Sequence, residues 1–182
     1  GEAPDVVLVK NRDRSVQWGV YHKDLTSPAE NRYLGLNTDS AETANSTVWR
    51  NEAPTTSIIK TGESAILNQP NEKILMYAWK SVQGFSKFGK YTGNGNTNGT
   101  FVYTGFKPEF VIVRRIDSAN SWIITDNARG QNGINPRLYA NSSEAEGSAA
   151  DYIDHLSNGF KIRTSAGSMN ASGETYSYME FA

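Results

Sequence analysis

The side chains in this sequence that could do chemistry are two histidines, a scatter of carboxylates, and a few aromatics and loop oxygens. His22 and His155 are its only imidazoles, and there is no cysteine. A metal site needs several nitrogen, sulfur or oxygen donors at short, fixed spacing. Neither histidine has such a partner, so both read as surface or edge-strand residues. No Gly-x-Ser-x-Gly elbow presents a serine nucleophile. Asp126, Asp151, Asp154, Glu144 and Glu146 could supply a carboxylate pair for glycoside hydrolysis. Nothing in their spacing singles out two of them, and solvated loop carboxylates explain them equally well. The expectation is a non-catalytic chain without a cofactor.

Binding chemistry has more to work with. Asp117-Ser118-Ala119-Asn120 offers loop oxygens of the kind calcium takes, which makes Asp117 and Asn120 the weak metal candidates. The matching turn reads Asp13-Arg14-Ser15-Val16, with a cation where a ligand would sit. An Asx turn, in which the carboxylate caps its own backbone, is therefore the better reading and no metal is expected. Asn45, Asn98, Asn141 and Asn170 each head an Asn-x-Ser/Thr triplet, but turn geometry explains them more simply than glycosylation. Among the aromatics, Trp18, Trp122, Trp79, Phe181 and Trp49 pair with apolar counterparts elsewhere in the chain and read as core. Tyr21, Tyr91, Phe101 and Tyr103 have no clear counterpart. A tyrosine offers a flat apolar face for stacking and a hydroxyl for hydrogen bonding. Tyr21, Tyr91 and Tyr103 are accordingly the candidate ligand-binding residues, against the plainer alternative of cross-strand packing.

These side chains sit on a sequence that is written twice. Pro4-Asp5-Val6-Val7-Leu8-Val9-Lys10 is answered by Pro108-Glu109-Phe110-Val111-Ile112-Val113-Arg114. The same alignment pairs Asp13 with Asp117, Trp18 with Trp122, Leu34 with Leu138, Asn37 with Asn141 and Glu42 with Glu146. After a two-residue slip it pairs Asn68 with Asn170 and Trp79 with Phe181. The expected organisation is a first β repeat over residues 1–79, an Asn/Gly-rich hairpin over 80–107 that opens the second repeat, and a second β repeat over 108–182. The first copy has no counterpart of that opening, so the chain reads as a piece of a longer array.

Strand signals dominate both copies. Val6–Val9 and Phe110–Val113 are apolar runs of the kind buried on both faces. Trp18–Tyr21, Trp122–Thr125, Tyr33–Leu36, Arg137–Ala140 and Phe160–Arg163 are short strands between turn signals. Gly93-Asn94-Gly95-Asn96 suits a hairpin tip, because Asn and Gly accept positive φ. One short helical turn is expected near Ser40–Ala44 and Ser143–Glu146. This pattern predicts an all-β fold, an antiparallel β-sandwich or sandwiches built from two tandem pseudo-equivalent repeats. The copies are either separate sandwiches or halves of a larger one. A shared sheet is slightly favoured, since an orphaned unit would expose a strand edge.

Composition narrows the partners. With 18 basic and 19 acidic residues the net charge is −1, which leaves no electrostatic footprint for nucleic acid. No apolar run approaches the roughly 20 residues that a membrane-spanning helix needs, so no membrane insertion is expected.

The motifs together resemble a repeat domain of unknown function found in bacteriophage tail-fibre and virion structural proteins, many of them from marine phages. The resemblance rests on Pro4–Arg12 and Pro108–Arg115, on Leu34–Glu42 and Leu138–Glu146, on Ser157–Ile162, and on Asn170–Ala182 with its diverged counterpart Asn68–Trp79. Gly84–Gly95 looks like the family's opening strand. The resemblance implies a virion location, in fibre or adhesin-like proteins, and supplies no site residue. It implies a non-catalytic surface module that attaches to a host cell-surface glycan or to other virion proteins, with a homo-oligomer as the usual arrangement. A stand-alone lectin-like carbohydrate-binding module and a structural assembly repeat are the alternatives.

Overall fold

The computed structural model describes residues 1–130, 136–147 and 152–182. Asp151, one of the carboxylates considered above, lies outside them. Among the described residues the fold is all-β, and the only helical piece is a 3-10 turn at Ala29–Asn31. The helical turn expected near Ser40–Ala44 and Ser143–Glu146 does not form. Thr43–Ala44 pairs instead as a short strand, and residues 143–146 take no regular structure. No helix of the described residues is long and apolar enough to cross a membrane.

Among the described residues thirteen strands make three antiparallel sheets. The first sheet holds β1 (Val6–Asn11), β2 (Gly19–His22), β3 (Arg32–Gly35), β4 (Thr43–Ala44) and β5 (Ile74–Trp79), in the order β4-β3-β2-β1-β5. The second holds β6 (Ser86–Thr92), β8 (Phe110–Arg115), β9 (Ile123–Asp126), β10 (Leu138–Tyr139) and β13 (Thr175–Phe181), in the order β10-β9-β8-β13-β6. The third joins β11 (Ile153–Leu156), β12 (Gly159–Ile162) and β7 (Phe101–Tyr103), in that order. The first two sheets carry matching pairings. Val6 lies opposite Trp79 as Phe110 lies opposite Phe181. The Trp18 and Trp122 amides donate to the Asn37 and Asn141 side-chain oxygens at 2.9 and 2.8 Å. The Asp5 and Glu109 amides donate to the Trp79 and Phe181 carbonyls, both at 2.8 Å.

Strand alternation decides how the sheets stack, because successive side chains leave opposite faces. On the second sheet Phe88, Ile112, Met179 and Phe181, with Trp122 just before β9, join the core of the first sheet, which is centred on Val6, Val9, Leu34, Trp49 and Leu67. Its other face sends Val111, Val113, Ile123, Tyr176 and Tyr178 into a second core with Phe160, Ile162 and Met169. The second sheet is therefore a middle layer, buried on both sides. The two five-stranded sheets stack face to face rather than joining edge to edge, because each already has a two-sided strand to bury. The expected shared sheet is not formed, and β5 is left as an edge.

The Asn/Gly-rich segment also departs from expectation. β6 and β7 flank it but do not pair with each other. β6 pairs with β13, while β7 pairs with β12 in the third sheet. The segment crosses from one layer to the other, so it is a connection and not a hairpin. The fully buried Asn170 side chain fastens it, accepting the Asn94 amide at 2.9 Å and donating to the Asn96 and Thr164 carbonyls at 2.7 and 2.8 Å.

Candidate functional site

Of the three tyrosines picked out by sequence, two are core. Tyr21 is 4% exposed and meets Trp49 edge-on at 5.8 Å. Tyr91 stacks on Tyr176 at 5.1 Å and donates its hydroxyl to the Met169 carbonyl at 2.7 Å. Burial pushes its phenol well above the ordinary tyrosine range. Neither presents a free face to a ligand. Each lies on a strand face that packs against another layer, which single-strand alternation does not reveal.

Tyr103 is different. It is 60% exposed, and Phe101, two residues earlier on β7, is 43% exposed, while Val102 between them is buried. Residues at i and i+2 on a strand share a face about 7 Å apart, so the two rings form one ridge on the outer side of the third sheet. Gly159 lies opposite Tyr103 in register, and no β12 side chain covers that ring. Lys161 lies opposite Phe101 and Asp154 opposite Lys161, which sets charged groups beside the ridge. Lys87 reaches over from β6, with its ammonium 5.5 Å from the Tyr103 ring centroid and donating to the Tyr103 carbonyl at 2.8 Å. A cation near the ring face is attracted by the ring quadrupole and holds the ring in place. The result is an open apolar platform bordered by hydrogen-bonding groups.

Most of the remaining sequence candidates are occupied structurally, while Glu144 is exposed. Asp13 accepts the Lys73 amide at 2.6 Å and Asp117 accepts the Thr175 amide at 3.0 Å. Both carboxylates thus anchor the start of a distant strand rather than capping their own turn, as an Asx turn would. Asp117 also takes Arg115 at 2.6 Å. Burial works against its ionisation, but these hydrogen bonds hold its carboxyl below the usual range. Among the described residues no cluster of three or more His, Asp or Glu side chains could hold a metal ion. Asn120 contributes its carbonyl to Arg114. Asp126 and Glu146 share Arg129, at 2.6 and 3.0 Å, and Asp154 is paired with Arg163.

Both histidines are buried, because each strand that carries one is covered by a second layer; His155 does lie on an edge strand, β11, as expected, whereas His22 lies on β2 inside the first sheet. His22 is 2% exposed; its Nδ1 accepts the Asp24 amide at 3.1 Å, and its Nε2 lies 3.2 Å from the Tyr178 carbonyl. Those bonds fix an Nε2–H tautomer that links the first layer to the second. Burial lowers its pKa to about 4. His155 is likewise lowered by burial, and its Nδ1 lies 3.0 Å from the Pro108 carbonyl.

Glu180 was not legible as special from sequence. It is fully buried on β13, in the same cross-strand row as Val111 and Thr125, and neither carboxylate oxygen has a hydrogen-bond partner among the described residues. Burial raises its pKa to about 8, and the neighbouring Thr104 and Lys87 offset only part of this. The Thr104 hydroxyl is already committed to the Phe106 carbonyl at 2.8 Å. A carboxyl raised in the fold keeps a proton that the unfolded chain releases above about 4.5. Its stabilising contribution is therefore whole below that pH and lost as pH rises towards 8. His22 and His155, lowered in the fold, act in the opposite sense up to about 6.5. The net loss should concentrate between pH 6.5 and 8 and amount to about 2 kcal/mol. Urea titrations across this range check it: Glu180→Gln should flatten the decline, and an equal decline in that variant would contradict the assignment.

A family model described as Domain of unknown function (DUF7483) matches residues 1–182. No curated protein and no solved structure matches the chain.

Proposed function

Since the chain belongs, over its whole length, to the DUF7483 domains of unknown function, its role has to be read from its own surfaces, and we propose that it is a non-catalytic attachment module that takes glycans on the Phe101–Tyr103 ridge. The observation that carries the reading is an exposed aromatic pair on one strand, beside Lys161 and Lys87 and with Gly159 leaving the Tyr103 ring open. Sugar rings present apolar C–H faces to aromatic planes and hydroxyls to flanking polar groups, and a preformed platform spares the cost of ordering flexible side chains. The adjoining lysines favour sugars that carry a carboxylate or sulfate. The likeness of the sequence motifs to bacteriophage tail-fibre and virion repeats supports a place on the virion surface, contacting host glycans. Weak single contacts would there gain strength from many copies.

The test is a glycan-array and host-cell binding screen of the chain beside a Phe101→Ala/Tyr103→Ala variant. The variant should lose binding by at least about tenfold, as the removal of aromatic anchors does, and its melting temperature should stay close to that of the parent. A parent chain that binds no glycan, or a variant that binds as well as the parent, would sink the proposal.

A further inference from the structure

The two five-stranded sheets differ at one edge. In the second sheet β13 is covered by β6, while in the first the corresponding strand, β5, pairs only with β1. β5 reads Ile74-Leu75-Met76-Tyr77-Ala78-Trp79, without a charge or a proline. Natural edge strands are usually blunted by such residues. The direction of its hydrogen bonds follows from register. The Arg12 amide donates to the Lys73 carbonyl at 2.8 Å, so Leu75, Tyr77 and Trp79 bond towards β1. Ile74, Met76 and Ala78 then turn their amides and carbonyls outward. Their counterparts on β13 are Tyr176, Tyr178 and Glu180, which pair with Tyr91, Gly89 and Lys87 of β6. The Gly93 amide to the Glu174 carbonyl, at 2.9 Å, and the Ala182 amide to the Phe85 carbonyl, at 2.8 Å, extend the same ladder.

Side chains tell the same story. Phe181 is held by Phe85 and Phe88, at 6.4 and 5.5 Å, and by Phe110 at 6.3 Å. Trp79, its counterpart, has no β6-like aromatics beside it and stacks on Tyr77 at 5.7 Å, with Tyr77 46% exposed. Beside the strand lies a cavity lined by Ile58, Ile59, Met76, Ala78 and Trp79, with the Glu2–Lys80 ion pair, at 3.0 Å, in its wall.

We propose that the β5 edge is an acceptor for an added antiparallel strand, and that its occupant is the β6-type strand of another DUF7483 unit, with the pattern Gly-Phe-Ser-Lys-Phe-Gly-Lys-Tyr-Thr seen at residues 84–92. The molecule supplies the template for this pairing in its own β6–β13 ladder. Transferred to β5, that register sets the serine opposite Trp79, the second phenylalanine opposite Tyr77 and the second glycine opposite Met76. The two phenylalanines would cover the exposed Tyr77 ring and the half-buried Trp79. Main-chain bonds supply the affinity and alternate side chains the specificity, as in other strand additions. A donor unit would release this strand from its own β13, so the pairing exchanges a β6–β13 ladder for a β6–β5 ladder between units.

The experiment adds a synthetic peptide of residues 83–93 to the full chain and follows amide hydrogen exchange. Saturable binding should protect the Ile74, Met76 and Ala78 amides at least about tenfold. A peptide N-methylated at the positions of Lys87 and Gly89 loses two inward donors and should bind about a hundredfold more weakly. The same peptide methylated at the positions of Ser86 and Phe88 should bind unchanged. Equal binding by both methylated peptides would reduce the effect to apolar adhesion and overturn the proposal. So would protection confined to β13, which would signal exchange with the chain's own β6. Absence of protection at millimolar peptide, or a chain dimer formed through β5 that the peptide does not displace, would overturn it as well.

Discussion

Arg114→Met should destabilise the protein to urea by about 2–4 kcal/mol, the cost of leaving partly buried carbonyls without their donor. Arg114 is fully buried on β8. Its guanidinium donates to the carbonyls of Asp39, at 2.7 Å, and of Ser40 and Asn120, and lies 5.8 Å from the Trp122 ring. Burial lowers its pKa to about 10, with Asp39 offsetting part of the shift, so it stays charged at neutral pH. It clamps a loop of the first layer to a turn of the middle layer, beside main-chain bonds from Asn120 to Asp39 and from Glu42 to Ile116, both at 2.8 Å. Methionine fills much of the space but takes a donor from three partly buried carbonyls, leaving those of Ser40 and Asn120 without it while Asp39 keeps the Asn120 amide. Arg114→Lys keeps the charge without the planar fork and should lose less than the methionine variant. A loss below about 1 kcal/mol for Arg114→Met would mean that water satisfies those carbonyls, and the clamp reading would fail.

Phe160→Ala should cost about 3–5 kcal/mol, by removing the central ring of the second core and leaving a cavity. Phe160 is fully buried and meets Tyr178 and Tyr91 edge-on at 5.4 and 6.2 Å. It lies opposite Val102 in register, between Phe101 and Tyr103. Loosening it therefore loosens the strand that carries the aromatic ridge. Under the proposed function, glycan binding should weaken in this variant although no ridge residue has changed, whereas Phe160→Leu, closer in volume, should lose far less stability. If Phe160→Ala unfolded at the same denaturant concentration as the parent, the third sheet would be shown to add little to the cooperative unit.

Most strands were legible because they rest on local pattern. The runs Val6–Val9 and Phe110–Val113 are apolar without alternation, and both strands are buried on both faces as that pattern implies. Layering was not legible, because alternation gives two faces and not what covers them. This is why Tyr21, Tyr91 and the two histidines read as accessible. The destination of Asn94–Gly99 also escaped, since an Asn/Gly run fixes a change of direction and not the partner strand. At the candidate site Tyr103 could be picked out as an aromatic without a counterpart. Its openness depends on Gly159, which is distant in sequence and adjacent only through the β7–β12 register.

The middle sheet has a consequence for how this protein can diverge. A residue on β8 or β13 has neighbours in two cores, one through each face of the strand, so a change of volume there is felt through both layers. Residues of the third sheet answer to one core only. Drift among relatives should therefore be slowest along β8 and β13 and fastest at the outer faces. A new binding specificity would be acquired on β7 and its surroundings, with the double-faced strands left as they are.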